Sequence, residues 1–170
     1  MLFDRGIVLA MNAESAREFL LKLPHVVETE QWGGLVFWVG DKAVGGKMFV
    51  MMNLEAGQQP IFYPAGQERM TSLLELEGIV PAPYMARIYW VAAERWGVFR
   101  QAEWESELRA AHALTYEKLP SRVKGVLALP KAELKKLVAE RRVLLAERER
   151  TKKDKAATEK AARASKRKIT

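Results

Sequence analysis

Cysteine is absent from the 170 residues and only two histidines occur. Such a set builds no disulfide framework and leaves a thiolate or imidazole zinc site without ligands. The missing thiols fit a reducing compartment. Long apolar runs are missing too. No stretch approaches the ~20 residues that span a bilayer, and Ile7-Val8-Leu9-Ala10-Met11 is shorter than a signal-peptide core. The chain is therefore expected to be soluble and cytoplasmic, with no membrane partner. Aromatic residues and glycines run out before the chain does. All five Trp, six Phe and four Tyr lie at or before Tyr116, and Gly125 alone follows Gly97 among the glycines. Only the first two thirds can build a core, and ~110–120 residues suffice for that without staples.

Charge divides at the same place. Residues 1–120 hold 11 basic and 15 acidic side chains, net −4, whereas 121–170 hold 17 and 6, net +11. The sequence pI near 9.7 therefore describes the tail.

Periodicity organises the first part. Asn12 is a good N-cap, and Ala16, Phe19, Leu20 and Leu23 follow at i, i+3, i+4 and i+7 until Pro24 ends an amphipathic helix. Residues 1–10 have no periodic partner and are expected to be removable with little loss. Val26 to Trp32, Leu35 to Val39, Ala43-Val44, Lys47 to Leu54 and Gln59 to Tyr63, cut by glycine turns, read as a β-meander. From Gln67 the spacing of Met70, Leu73 and Leu74, with Gly78 beyond, predicts a helix of about three turns. Pro81 and Pro83 bar a central strand at the start of the next segment, while Tyr84 to Ala93 reads as a regular strand. Trp104, Leu108, Ala111, Thr115 and Leu119 form the stripe of a helix from Gln101 to Leu119, stopped by Pro120. This order predicts an α+β domain, a mostly antiparallel sheet with helices packed on one face. Beyond it, Leu134, Leu137, Val138, Leu144 and Leu145 predict a helix of three to four turns. Past Ala146 the apolar side chains are alanines and Ile169, so 147–170 is expected to be a solvated helix or disordered. Fewer than two heptads argue against a coiled coil.

The stretches Leu23-Pro24-His25-Val26-Val27-Glu28, Val36-Phe37-Trp38-Val39, Gly45-Gly46-Lys47-Met48-Phe49, the run from Pro81-Ala82-Pro83 through Met85, Arg87 and Trp90, and Tyr116-Glu117-Lys118-Leu119-Pro120 form an ordered set. Together they resemble the MmcQ/YjbR family of small bacterial proteins. The resemblance covers about 13–124 and implies a CyaY-like fold whose paired hairpins form a double-wing nucleic-acid-binding motif. Two positions depart from the pattern: Asp41 to Gly45 lengthen the first hairpin, and Ala86 stands where the family often has Asn. On this basis the domain is placed at 12–124 and a basic tail at 125–170.

Catalytic constellations are not legible. Gly40 to Met48 superficially suggests a phosphate loop, but its leading Gly is one place early and Met48 stands where a Mg²⁺-binding hydroxyl belongs. A hairpin turn explains the glycines. His25 follows a helix-ending proline and His112 adjoins an apolar stripe, so they read as a turn residue and a packed imidazole. Glu28/Glu30 and Glu75/Glu77 read as solvated surface. Trp38, Trp90 and Trp104 fit core positions, while Trp32 and Trp96, beside glycines, are the aromatics to check for exposure.

What remains is cationic: Lys42 and Lys47 in the hairpin region, Arg87 and Arg95 further on, and in the tail Lys152, Lys153, Lys155, Lys160, Arg163, Lys166, Arg167 and Lys168. Such a tail neutralises phosphates without reading sequence. The expectation is a non-enzymatic nucleic-acid-binding protein with no cofactor, metal or small-molecule substrate, taking DNA or else RNA through a hairpin wing and the tail. The alternative is a protein–protein interaction or regulatory module with the tail as a solubility element.

Overall fold

The computed structural model describes residues 10–167, so all but the last residue of the segment expected to be dispensable, 1–10, lies outside the described residues. Two compact units are present, one through Leu127 and one from Ala128.

The first unit opens with α1 (Ala13–Lys22). Asn12 Oδ1 accepts from the Ser15 N–H and Ser15 Oγ from the Asn12 N–H, both at 2.9 Å, a reciprocal cap. Then follow β1 (Val26–Gln31), β2 (Gly34–Val39), β3 (Lys47–Asn53), β4 (Ile61–Pro64), α2 (Gln67–Leu74), β5 (Ile79–Pro81), β6 (Trp90–Ala93), α3 (Gln101–Glu117) and α4 (Ser121–Leu127). The six strands form one antiparallel sheet in the order β1-β2-β3-β4-β6-β5. The fold is α+β. Pro81 is accommodated because β5 is an edge strand.

Two expected strands are corrected. Ala43-Val44 belongs to a 3-10 turn over Lys42–Val44, since Asp41 Oδ1 accepts from the Ala43 N–H at 2.8 Å and the Asp41 carbonyl from Gly46 at 2.9 Å. A Cβ at Gly46 would collide with the Gly40 carbonyl, so this tight return requires glycine. Val123 and Leu127 of α4 are buried, and their side chains lie where a Cβ on Gly45 or Gly40 would point. The loop is thus a supported turn. The strand expected from Tyr84 begins only at Trp90. Ahead of it the chain doubles back, with a 3-10 turn at Ala86–Ile88 and left-handed Tyr84 and Tyr89.

The stripe of α3 is the centre of the core: Trp104, Leu108, Ala111, Thr115 and Leu119 are all buried. Trp104 Nε1 donates to the Trp96 carbonyl at 2.7 Å, and the ring meets Tyr63, Trp96 and Phe99 edge-on. Beside it Glu107 accepts from Tyr63 Oη at 3.1 Å and from Arg69, tying α2 and β4 to α3. Burial and the Glu107 carboxylate push the Tyr63 phenol far above its usual range.

His112, also on α3, donates through Nε2 to the Pro24 carbonyl at 2.8 Å and stands edge-on to Phe49. Desolvation holds its pKa below the ordinary 6.5, outweighing the hydrogen bond to Pro24, which raises it. The unfolded chain then binds more protons between the two values. The stability that neutral His112 contributes is complete above pH ~6.5 and is lost as pH falls through that value towards the folded pKa. Urea unfolding of wild type and His112→Gln between pH 7.5 and 5 is expected to show a steeper acid-side loss in the wild type. Parallel curves would remove His112 as the cause.

The second unit is built on one helix, α5 (Lys131–Arg167). No glycine or proline interrupts these residues, and Ala, Glu, Lys, Arg and Leu dominate them. The short helix and uncertain tail expected from the sequence are thus one continuous helix. Among the described residues no helix is long and apolar enough to cross a membrane.

Candidate nucleic-acid interface

Strand register separates the two faces of the sheet. Arg17 of α1 pairs with Glu28 at 2.6 Å, and Tyr63 and Phe49 meet α3, so these side chains mark the helix side. One row of partners crosses all six strands on the opposite side: Thr29, Val36, Met51, Phe62, Ala92 and Val80. Beside it Trp38 lies opposite Met48, and Trp38 Nε1 donates to Thr29 Oγ1 at 2.8 Å. This outer face carries no carboxylate in any paired strand position, because Glu28 and Glu30 alternate with Val27, Thr29 and Gln31 and so point to the helix side.

The two ends of the sheet also differ. At one end the β1–β2 hairpin turns on Trp32 and Gly33 with φ of 53° and 77°, both positive as a tight type I′ turn demands. Trp32 is 73% exposed there. Trp96, the other tryptophan singled out, is half-buried against Trp104. The opposite end gathers the Asp41–Gly46 turn and the Pro83–Tyr89 turn. Asp41 there is buried and caps its own turn, and residues 42–54 and 78–93, which supply the rest of that end, contain Lys42, Lys47 and Arg87 and no acidic residue.

The cations expected to bind are distributed unequally over this frame. Lys42 lies over the Trp38 ring, 5.7 Å from its centroid, on the outer face. Lys47 sits on the helix side and donates to the Lys118 carbonyl at 3.1 Å. Arg87 is exposed in its 3-10 turn, at the same end as Lys42. Arg95 stands at the other end, beyond β6, and meets Glu77 at 3.4 Å. The structure thus brings Lys42 and Arg87 to one end and separates Arg95 from them. Tyr84, 99% exposed at this same end, is not among the aromatics that the sequence marks for exposure. Its signal was the Pro81/Pro83 bracket, which makes a turn out of an aromatic-rich stretch.

Along α5 every described side chain from 139 to 166 is exposed. Arg148, Lys152, Lys155, Arg163 and Lys166 fall at i, i+4, i+7, i+15 and i+18, hence on one face, about 27 Å long at 1.5 Å per residue. Glu159, at i+11, falls on the same face, while Lys153 and Lys160 lie about a third of a turn round the helix from it. Lys168 lies outside the described residues, as does the Arg167 side chain.

A groove of about 480 Å³ between the start of α2 and α3 is lined by both Arg69 and Lys118 and by both Glu68 and Glu117, so its charges balance.

A family model described as YjbR matches residues 21–141. No curated protein matches. Among solved structures, that of the Deinococcus radiodurans protein DR2400, whose domain is described as DUF419, is 23% identical. The match covers 75% of this chain and 88% of that one, with a TM-score of 0.57. At this identity the likeness is one of fold.

Proposed function

As the chain belongs to the YjbR family, we propose that it is a non-enzymatic nucleic-acid-binding protein that takes DNA through phosphate contacts independent of sequence. The observation that supports this reading is the basic face of α5, with five cations against one carboxylate, Glu159, along one side of a helix whose side chains are exposed from 139 to 166. DNA carries one charge per ~1.7 Å of duplex, so a cationic line of this length meets many phosphates. The first unit is acidic overall and adds Lys42 and Arg87 at the end where Asp41 is the acidic residue of the two turns, buried in capping its own turn, which would position the strand.

The test is a salt titration of the full chain on random-sequence duplex. If about five tail cations engage at once, log K is expected to fall against log salt with a slope of roughly −4 to −5, from ~0.9 per neutralised phosphate. Changing Lys42 and Lys47 to Ala is expected to reduce that slope by less than two, because Lys47 is already committed to the Lys118 carbonyl. No binding at low salt would sink the reading.

One observation favours a second reading, a protein partner. Val143, Leu144 and Leu145 are three successive apolar side chains exposed on α5.

A further inference from the structure

The geometry points to the Pro83–Tyr89 turn as a clamp that stacks an unpaired base on Tyr84, which would direct the interface proposed above to single-stranded nucleic acid. The inference rests on that functional reading and deepens it.

The turn is fixed from several sides. The Ala82 N–H donates to the Trp90 carbonyl at 3.0 Å and the Trp90 N–H to the Met85 carbonyl at 3.3 Å. The Tyr89 carbonyl accepts from Ala65 at 2.8 Å and Gly66 at 3.3 Å. Ala82 and Trp90 are buried together, with Met85 and Met48 packed against them. Held this way, Tyr84 and Tyr89 both have φ of 63°, a left-handed conformation that residues other than glycine seldom adopt. Burial gives no reason for the arrangement at Tyr84, whose side chain is 99% exposed. A rigid, strained turn that presents an aromatic ring to solvent has the character of a site rather than of a fold element.

The surroundings specify the ligand. Arg87 is exposed three residues after Tyr84, and no carboxylate occurs from 78 to 93. Lys42 reaches the same outer surface over Trp38, which lies opposite Met48 and so adjoins the packed base of the turn. An exposed aromatic face on the same turn as a guanidinium, at the end of the sheet that also carries an ammonium, suits a base with its neighbouring phosphates. A paired duplex hides its base faces in the stack. An unpaired strand offers them, and every base has one, so no sequence preference is implied.

Fluorescence anisotropy on a 15-nucleotide single-stranded oligonucleotide and on a random duplex tests this, using the full chain and its Tyr84→Ala and Tyr84→Phe variants. Tyr84→Ala is expected to weaken single-strand binding by roughly 5- to 150-fold, the effect of losing one stacked base. Duplex binding should stay within about twofold, and Tyr84→Phe should bind both like the wild type. A 2-aminopurine in the single strand should be quenched by the wild type and Tyr84→Phe, and not by Tyr84→Ala. Equal single-strand affinity for all three chains, with duplex binding intact, overturns the clamp and leaves the functional reading standing. Failure of the wild type to bind either nucleic acid at low salt overturns both.

Discussion

Deleting residues 131–170 is expected to remove most of the affinity for random-sequence DNA together with most of its salt dependence. Full-length protein with a slope near −4.5 should lose affinity about 500-fold between 50 and 200 mM salt, which is a fourfold change in salt raised to that power. The truncated chain retains the first unit entire and has only Lys42, Arg87 and a few scattered cations to offer. Its binding should be weak throughout and change less than about tenfold over the same range. Its melting midpoint should show that the domain is still folded, because the apolar stripe of α3 and the six-stranded sheet lie wholly within residues 26–119. Equal affinity and slope in the two chains would make α5 a solubility device and move the binding site onto the sheet.

Replacing Trp104 with Ala is expected to destabilise the first unit by roughly 3–5 kcal/mol, the range for removing a large buried aromatic and leaving a cavity. The side chain is fully buried and touches three other aromatic rings, so the surroundings cannot collapse without breaking their edge-on contacts. The substitution also deprives the Trp96 carbonyl of its indole donor. For a domain of this size the midpoint of thermal unfolding should fall by about 10–20 °C. Calorimetry checks this, and an unchanged midpoint would place the core elsewhere than on the α3 stripe.

Much of this architecture could be read from local pattern. The Asn12 cap, the apolar spacing of α1 and four residues of the α3 stripe, Trp104 to Thr115, follow the expected pattern because each is a property of one segment facing one direction, while Leu119 lies just beyond the end of α3 at Glu117 and is buried there. Family resemblance and α+β class followed from the order of such segments. Misreadings arose where a contact from outside the segment decides its conformation. Tyr84 to Tyr89 has the β-branched and aromatic composition of a strand. The hydrogen bond from Ala82 to the Trp90 carbonyl turns it into a loop instead. Ala43-Val44 reads as strand and is folded over by the Asp41 side chain.

The candidate site divides in the same way. Composition alone determined that the last 50 residues are net cationic and that those past Ala146 cannot build a core, since net charge and the lack of bulky apolar side chains between Ala146 and Ile169 do not depend on any partner. Which tail cations share a face was not determined by the sequence, which leaves 147–170 between solvated helix and disorder, and follows from the continuous helix α5. Only the tertiary structure decided the fate of the domain's cations. Lys42 and Lys47 are five residues apart, yet a 3-10 turn places one over Trp38 and the other against Lys118 on the opposite face. Arg87 and Arg95, eight apart, lie at opposite ends of the sheet because the short strand Trp90–Ala93 runs between them. The exposure of Tyr84 also belongs to the fold. A side chain's access to solvent depends on which distant strands pin its backbone, and sequence spacing carries no record of those pairings.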